Sequence, residues 1–385
     1  MSGEDRAALP DLTYMGGTLA ITTTPVVGTP AQPYPDVFVP LWEELREGEI
    51  RVTVLGSGNP PPTRAQASGS VLVEVGNAER DMFLFDAGSG SLANFLCLKL
   101  PVNGLDKVFL SHLHADHTAD LITLFGSFRK AGRAGPLHVW GPSGSEPRFG
   151  TARAVECIAE SCAWDTESTR GFTSNESAQM HVTEFPTAKT HTVYEDHGVT
   201  ITAFPVVHAL DGAVGYRIDY AGLSVVHSGD TRPCWPLVRA AENGVDLLIH
   251  ECFPSADLLA ALTGRPIDKF ETVMGIHTVP RMAGKVFSLV EPRMAALWHT
   301  MLVPPLVEGM FRQLRTTYEG PVTQTQDLTV FNITKEAVVA RQTETVAQAM
   351  VVEGEPTVRP TFGERPTPPS WWKDALIPED APTVA

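Results

Sequence analysis

Phe109–Leu121 reads FLSHLHADHTADL and packs three histidines and an aspartate into six residues, directly after an apolar run. One histidine here would read as a hydrogen-bonded bystander. His112, His114, Asp116 and His117, at the spacing H-x-H-x-D-H, crowd a single turn, and a common partner would offset that crowding. KVFLSH, ending at His112, predicts a buried strand, and TADLITLFGSFRKAG predicts a helix with glycine near its end. The cluster therefore sits at the carboxyl end of a strand, where α/β proteins build their sites.

The pattern extends in both directions. Upstream, EIRVTVLGSG, SGSVLVEVGN and DMFLFDAGSG alternate between glycine turns and predict a strand meander, followed by a helix over SLANFLCLKL. Downstream, LHVWGP predicts a strand. From about residue 142 to 192 the periodicity weakens and acids dominate, which predicts an insertion over the core. Alternation resumes in GVTITAFPVVHA, AVGYRIDYAGLSVVHSGD and VDLLIHECF. Helices are expected over VPRMAGKVFSLV and LVEGMFRQLRTTY, a strand over MAALWHT between them, and a last β-like run over DLTVFNITKEAVVA. Two β-then-α halves predict two sheets face to face with helices outside. The expected organisation is an extended arm over 1–46, a folded domain over 47–342 and a Pro-rich tail over 343–385.

Composition bounds the function. In 385 residues, 43% of them hydrophobic, no apolar run is long enough to span a bilayer, and the acidic start MSGEDRAALPD lacks the pattern of a signal peptide. A cytoplasmic location is expected. Five cysteines without C-x-x-C spacing, Cys234 and Cys252 among them, predict reduced structural thiols. A formal charge of -16 repels a polyanion unless a basic patch or a metal overrides it locally.

Imidazole and carboxylate are ligands that zinc prefers and that manganese and iron also accept. Further ligands stand at equivalent strand ends: His208 in FPVVHALDG, Asp230 in HSGDTRP and His299 in ALWHTM. The set is too large for one tetrahedral catalytic ion with an open position, so two metals are the economical reading. Asp230, in a glycine-flanked turn, has the backbone freedom to bridge them.

These motifs, together with VLGSGNPPPTRAQASGS, VWGPSG, LLIHEC and HTVPRMAGKVFS, resemble the metallo-β-lactamase superfamily, specifically its ribonuclease Z branch, over about Glu49–Thr334. They also resemble a metagenomic subgroup in which β-lactam hydrolysis accompanies ribonuclease-type activity. The resemblance implies an αββα sandwich, a homodimer and two zinc ions. It implies His112, His114 and His208 on one ion, Asp116, His117 and His299 on the other, and Asp230 shared. Asp86 in LFDAGSGS would orient the ligand loop without binding metal, and His250 in LLIHEC would donate the proton to the leaving group or else simply hydrogen-bond a ligand. A metal-bridging hydroxide would be the nucleophile; a metal-held Asp116 is a weak base for its proton.

Other residues take plainer readings. His277 is expected as a helix-start or lining residue, Trp298 as core, and His138, His181, His191, His197 and His227 as structural. Trp371 and Trp372 dock the tail on a neighbour or on its own subunit.

Three functions follow. A phosphodiesterase or nuclease is the first, although nine acids against four bases between Glu146 and Asp196 disfavour transfer RNA and favour a short diester. The second is a β-lactamase or other small-molecule amide or ester hydrolase, and the third a metal-binding scaffold without turnover. No membrane partner is expected.

Overall fold

A computed structural model describes residues 34–345 and 351–377. The first sheet runs in the order β1 (Val37–Phe38), β16 (Val338–Thr343), β15 (Thr329–Ile333), β2 (Ile50–Gly56), β3 (Ser70–Val75), β4 (Met82–Phe85), β5 (Lys107–Phe109), β6 (Leu137–Pro142) and β7 (Met180–Phe185). The second runs β14 (Val322–Gln324), β13 (Met294–Trp298), β12 (Leu247–Glu251), β11 (Leu223–His227), β10 (Val214–Tyr220), β9 (Val199–Pro205) and β8 (His191–Asp196).

Alternation along each strand explains why the sheets stack. Ile50, Val52, Val54, Val71 and Val73 meet Ile201, Tyr216, Val225, Ile249 and Ala296 between the sheets. Their neighbours of opposite parity, Leu55, Leu72, Leu84 and Val108, face helices instead. On the second sheet Val226, Leu248 and Leu297 pack against Ala283, Phe287, Met310 and Leu314 of the outer helices. Successive residues of a strand point to opposite faces, and both faces are covered, so the central strands are apolar almost throughout. The result is the expected αββα sandwich of two mixed sheets.

β4 to β7 pair in parallel, as do β11 to β14. Their carboxyl ends share one edge of the sandwich, and the loops there carry His112, Asp230 and His299.

Residues 142–192 do more than cover the core. They form the helices Thr151–Ser161 and Ala163–Ser168 and the edge strand β7, and β8 begins at their end. The last β-like run is a hairpin, β15 against β16. The arm's residues 1–33 lie outside the described residues, but β1 pairs with β16. The tail folds back on its own subunit: the Val102 and Asn103 amides donate to Val352 and Glu353 carbonyls at 2.8 and 3.0 Å, and the Asn175 amide to Thr361 at 2.8 Å. At its end Trp371 and Trp372 are exposed.

Candidate metal centre

The loop after β5 is shaped by Asp86, which follows β4 at φ +59°, a left-handed conformation unusual for a non-glycine residue. Such backbone costs about 1–3 kcal/mol and persists only where surrounding contacts demand it. Here the carboxylate accepts the Ser111 amide and hydroxyl, both at 2.7 Å, and His117 Nδ1 at 2.8 Å. Asp86 is fully buried beneath the loop and takes part in none of the metal-capable groups among the described residues.

Two groups of ligand atoms converge above it. His112, His114, His208 and Asp230 form one; Asp116, His117 and His299 form the other. In the first, His114 Nδ1 lies 2.9 Å from His112 Nε2 and 3.2 Å from His208 Nε2. Asp230 Oδ2 lies 3.9 and 3.7 Å from those Nε2 atoms. In the second, Asp116 Oδ2 is 3.4 Å from His117 Nε2 and 3.1 Å from His299 Nε2. A tetrahedral ion with metal–nitrogen distances near 2.1 Å would hold its ligands about 3.4 Å apart, and these separations straddle that value. Asp230 stands between the groups: its Oδ2 is 3.5 Å from His117 Nε2 and its Oδ1 3.5 Å from His299 Nδ1.

The residues fit a pair of divalent ions on a second ground. His117 Nε2, Asp230 Oδ1 and His299 Nδ1 are buried and make no hydrogen bond, although buried polar atoms ordinarily have partners. Ring tautomers suit ligation as well. His117 Nδ1 is engaged by Asp86 and His208 Nδ1 by the Ile276 carbonyl at 2.9 Å, leaving each Nε2 turned to the centre. Burial pushes His112 and His114 down and His208 down to about 4, so these rings are neutral near pH 7 with a lone pair available. Burial would also lower His117, but Asp230, Asp86 and Asp116 override it and hold the ring well above its ordinary value. A cation would take that proton's place.

Backbone geometry brings the distant ligands in. Gly229, at φ +57°, precedes Asp230, and a Cβ there would sit 2.8 Å from Ser111 Cβ and from the Val214 carbonyl oxygen. Only glycine fits that approach. His299 is itself left-handed at φ +53°.

Beside these groups stands His277, which forms a further metal-capable group with Asp230 and His299; its Nδ1 is 2.9 Å from Glu251 Oε1 and 4.0 Å from Asp230 Oδ2. The buried Glu251 carboxylate also accepts the Thr231 amide at 2.9 Å and the Thr278 amide at 3.3 Å. Burial would lower His277, but its bond to Glu251 raises it further.

The family match covers residues 82–300, with the model described as "Beta-lactamase superfamily domain". The chain belongs to the metallo-β-lactamase superfamily. Within it the chain is a hydrolase of the ribonuclease Z-like branch. It is 30% identical over 274 residues to ribonuclease Z of Mycobacterium avium strain 104, covering 69% of this chain and 90% of that one. Against ribonuclease Z of Mycobacterium marinum identity is 29% over 293 residues, covering 72% and 97%. Two solved structures share the fold. The metallo-β-lactamase fold protein YhfI of Bacillus subtilis has a TM-score of 0.56 at 20% identity over 74% of this chain and all of that one. Human tRNase Z, short form, has 0.53 at 20% identity over 73% and 98%.

In this hydrolase the structure brings together all seven residues read as ligands, with Asp86 beneath them. His250, read as the proton donor, is turned away. It has the same strand parity as Leu248 on β12, its ring lies 6.0 Å from Phe287 of the outer helix, and its Nδ1 donates to the Glu251 carbonyl. It is fully buried, and burial lowers it to about 4. His277, expected as a helix-start or lining residue, is the histidine that stands beside Asp230 and Glu251. Trp298 is core, as expected, and its ring also packs 5.9 Å from that of His117. His227 is buried in the same layer, 3.9 Å from Asp86. Cys234 and Cys252 enter no metal-capable group among the described residues. No helix among the described residues is long and apolar enough to cross a membrane.

Proposed function

We propose that this hydrolase is a ribonuclease Z-like phosphodiesterase that works with two metal ions, zinc by its nitrogen and carboxylate ligands, and acts on RNA-type diesters. One observation carries the reading: two ligand groups side by side, with Asp230 between them and buried ring and carboxylate atoms facing inward without partners. When bound, such ions supply a water acidified toward neutrality and polarise the scissile phosphoryl oxygen.

The chain's own residues do the rest. Asp86 holds His117 and the Ser111 turn rigid, which keeps His112 and His114 aimed at one point. Asp116, bonded to His299, is ionised: burial raises its carboxyl, but His117 and His299 hold it well below the usual carboxylate range. It is a ligand, too weakly basic to be the main proton acceptor. His277 is the proton donor. Glu251 fixes its Nδ1, leaving Nε2 as the proton-bearing atom for the leaving oxygen, and the ring is stacked at 5.1 Å on Phe253 and 5.7 Å on His299. The ribonuclease Z relatives support RNA as the diester. The acidic stretch between Glu146 and Asp196 lacks the charge that would grip a long transfer RNA, so the reaction takes short ends.

The test is hydrolysis of bis(p-nitrophenyl) phosphate by zinc-loaded protein, with Asp230→Ala and His114→Ala. Turnover is expected in the wild type and is lost in both variants while they remain folded. Cephalosporin turnover without any diester cleavage would overturn the reading in favour of an acyl hydrolase.

A further inference from the structure

The loops that carry His208 and Asp230 are tied together outside the metal centre. The Arg232 amide donates to the Val207 carbonyl at 2.7 Å, and the Val207 amide donates to Thr231 Oγ1 at 3.2 Å. This joined lip carries three large apolar side chains in solvent: Val207 is 50% exposed, Leu210 66% and Trp235 63%. Exposed apolar residues scattered singly need no explanation; here all three lie within three residues of the tie between Val207 and Arg232, on the two loops that carry His208 and Asp230.

Charge selects among the possible occupants. Arg232, two residues beyond the ligand Asp230, is exposed and makes no ion pair among the described residues of a chain with formal charge -16. An unpaired arginine two residues from a candidate metal ligand suits a phosphate backbone and offers nothing to an apolar acyl substrate. Trp235 opens the helix Trp235–Ala240, with Pro236 behind it, and the preceding turn is tied by a Thr231 Oγ1 to Cys234 Sγ hydrogen bond at 3.8 Å. Its backbone is therefore fixed, which suits a stacking platform: aromatic side chains hold unpaired bases by their π-faces whatever the sequence.

We infer that Trp235 is a specificity residue that stacks an unpaired nucleobase flanking the scissile diester, with Arg232 beside it for the phosphate chain. This rests on the phosphodiesterase reading above and adds what the substrate must carry: a base next to the cleaved bond.

The experiment compares two substrates with the same leaving group, thymidine 5′-(p-nitrophenyl phosphate) and methyl p-nitrophenyl phosphate, on zinc-loaded wild type, W235A and W235F. In W235A, kcat/KM for the thymidine diester is expected to fall about tenfold or more, while the methyl diester is cleaved as before and W235F recovers most of the loss. Equal falls on both substrates would assign Trp235 a structural role and overturn the inference. An unchanged thymidine-to-methyl ratio overturns it too, and a change in oligomeric state alongside that unchanged ratio would assign the lip to a second copy of the chain. If the wild type cleaves neither diester, the phosphodiesterase reading itself fails and the inference falls with it.

Discussion

At the scale of single residues, the two histidines near the end of β12 and after it differ in what they touch, and that difference carries the proposal that His277 donates the proton. His277 lies against Glu251 and Asp230, whereas His250 lies against Phe287. His277→Ala is expected to lower kcat by about 10²-fold or more, the usual contribution of a positioned general acid, with bound metal unchanged by elemental analysis. His250→Phe is expected to leave kcat intact and to lower the melting temperature only modestly, because the Nδ1 bond to the Glu251 carbonyl is lost while the buried Nε2 has no partner to lose. A collapse of kcat in His250→Phe with normal folding would reverse the two roles. The candidate ligands are legible because most stand at a strand end with a diagnostic neighbour: His-x-His-x-Asp-His after β5, a Gly-Asp turn after β11, a histidine following β13, with His208 in the loop after β9. The proposed donor is less so. Strand parity sets His250 opposite to Ile249 and Glu251, a rule readable from LLIHECF itself, while His277 sits in a loop whose path no periodicity describes.

At the scale of elements, polar edge strands hid part of the sheets. β7, MHVTEF, exposes His181, Thr183 and Glu184, and β8, HTVYED, exposes Thr192, Glu195 and Asp196; both carry acids, as edge strands that avoid pairing with other chains do. Their composition resembles a surface insertion, and the partner strands that define them are distant in sequence. The central strands were legible because burial on both faces forces continuous apolar runs. The tail's path along the outer helices had no sequence signal, since it is fixed mainly by backbone hydrogen bonds, and Asn103 gathers several of them. The buried Nδ2 donates to Gly132, Glu353 and Gly354 carbonyls at 3.0, 2.9 and 3.3 Å, and Oδ1 accepts the Ala134 amide at 2.8 Å. Asn103→Ala leaves those groups without their partner and is expected to cost about 1–3 kcal/mol. Thermal melting and limited proteolysis should show a less stable protein with an earlier-cleaved tail. Unchanged kcat on the same diester would confine the effect to packing.

At the scale of the whole molecule, the two sheets are held together at opposite ends by different chemistry. Away from the metal centre, Asp81 from the turn before β4 meets His197 from the β8–β9 turn at 2.9 Å, and Lys107 joins at 3.0 Å. Burial would raise Asp81, but Asn77, Lys107 and His197 outweigh it and lower it; Asp81 in turn raises His197. A raised histidine stabilises fully below its unfolded value of about 6.5 and ceases to do so as pH rises through its folded value. His197→Asn should therefore melt below the wild type in mildly acidic buffer, and the two should converge in alkaline buffer. A gap that stayed constant with pH would sink the clamp. At the other end the first sheet contributes His112, His114, Asp116 and His117 and the second contributes His208, Asp230 and His299. Ions held there would staple the sheets as well as drive the reaction. Ligands that bind only the folded state stabilise it by about 4 kcal/mol at a thousandfold excess over Kd. Chelation should accordingly lower the melting temperature of the wild type by several degrees and restore on zinc addition. Asp230→Ala, which removes the carboxylate between the two groups, should show a much smaller response. If chelation abolished turnover yet left the wild-type melt unmoved, the ions would serve chemistry alone, and the sheets would be held at that edge by Asp86, Ser111 and the buried Trp298, whose Nε1 donates to the Gly56 carbonyl across the sandwich at 2.8 Å.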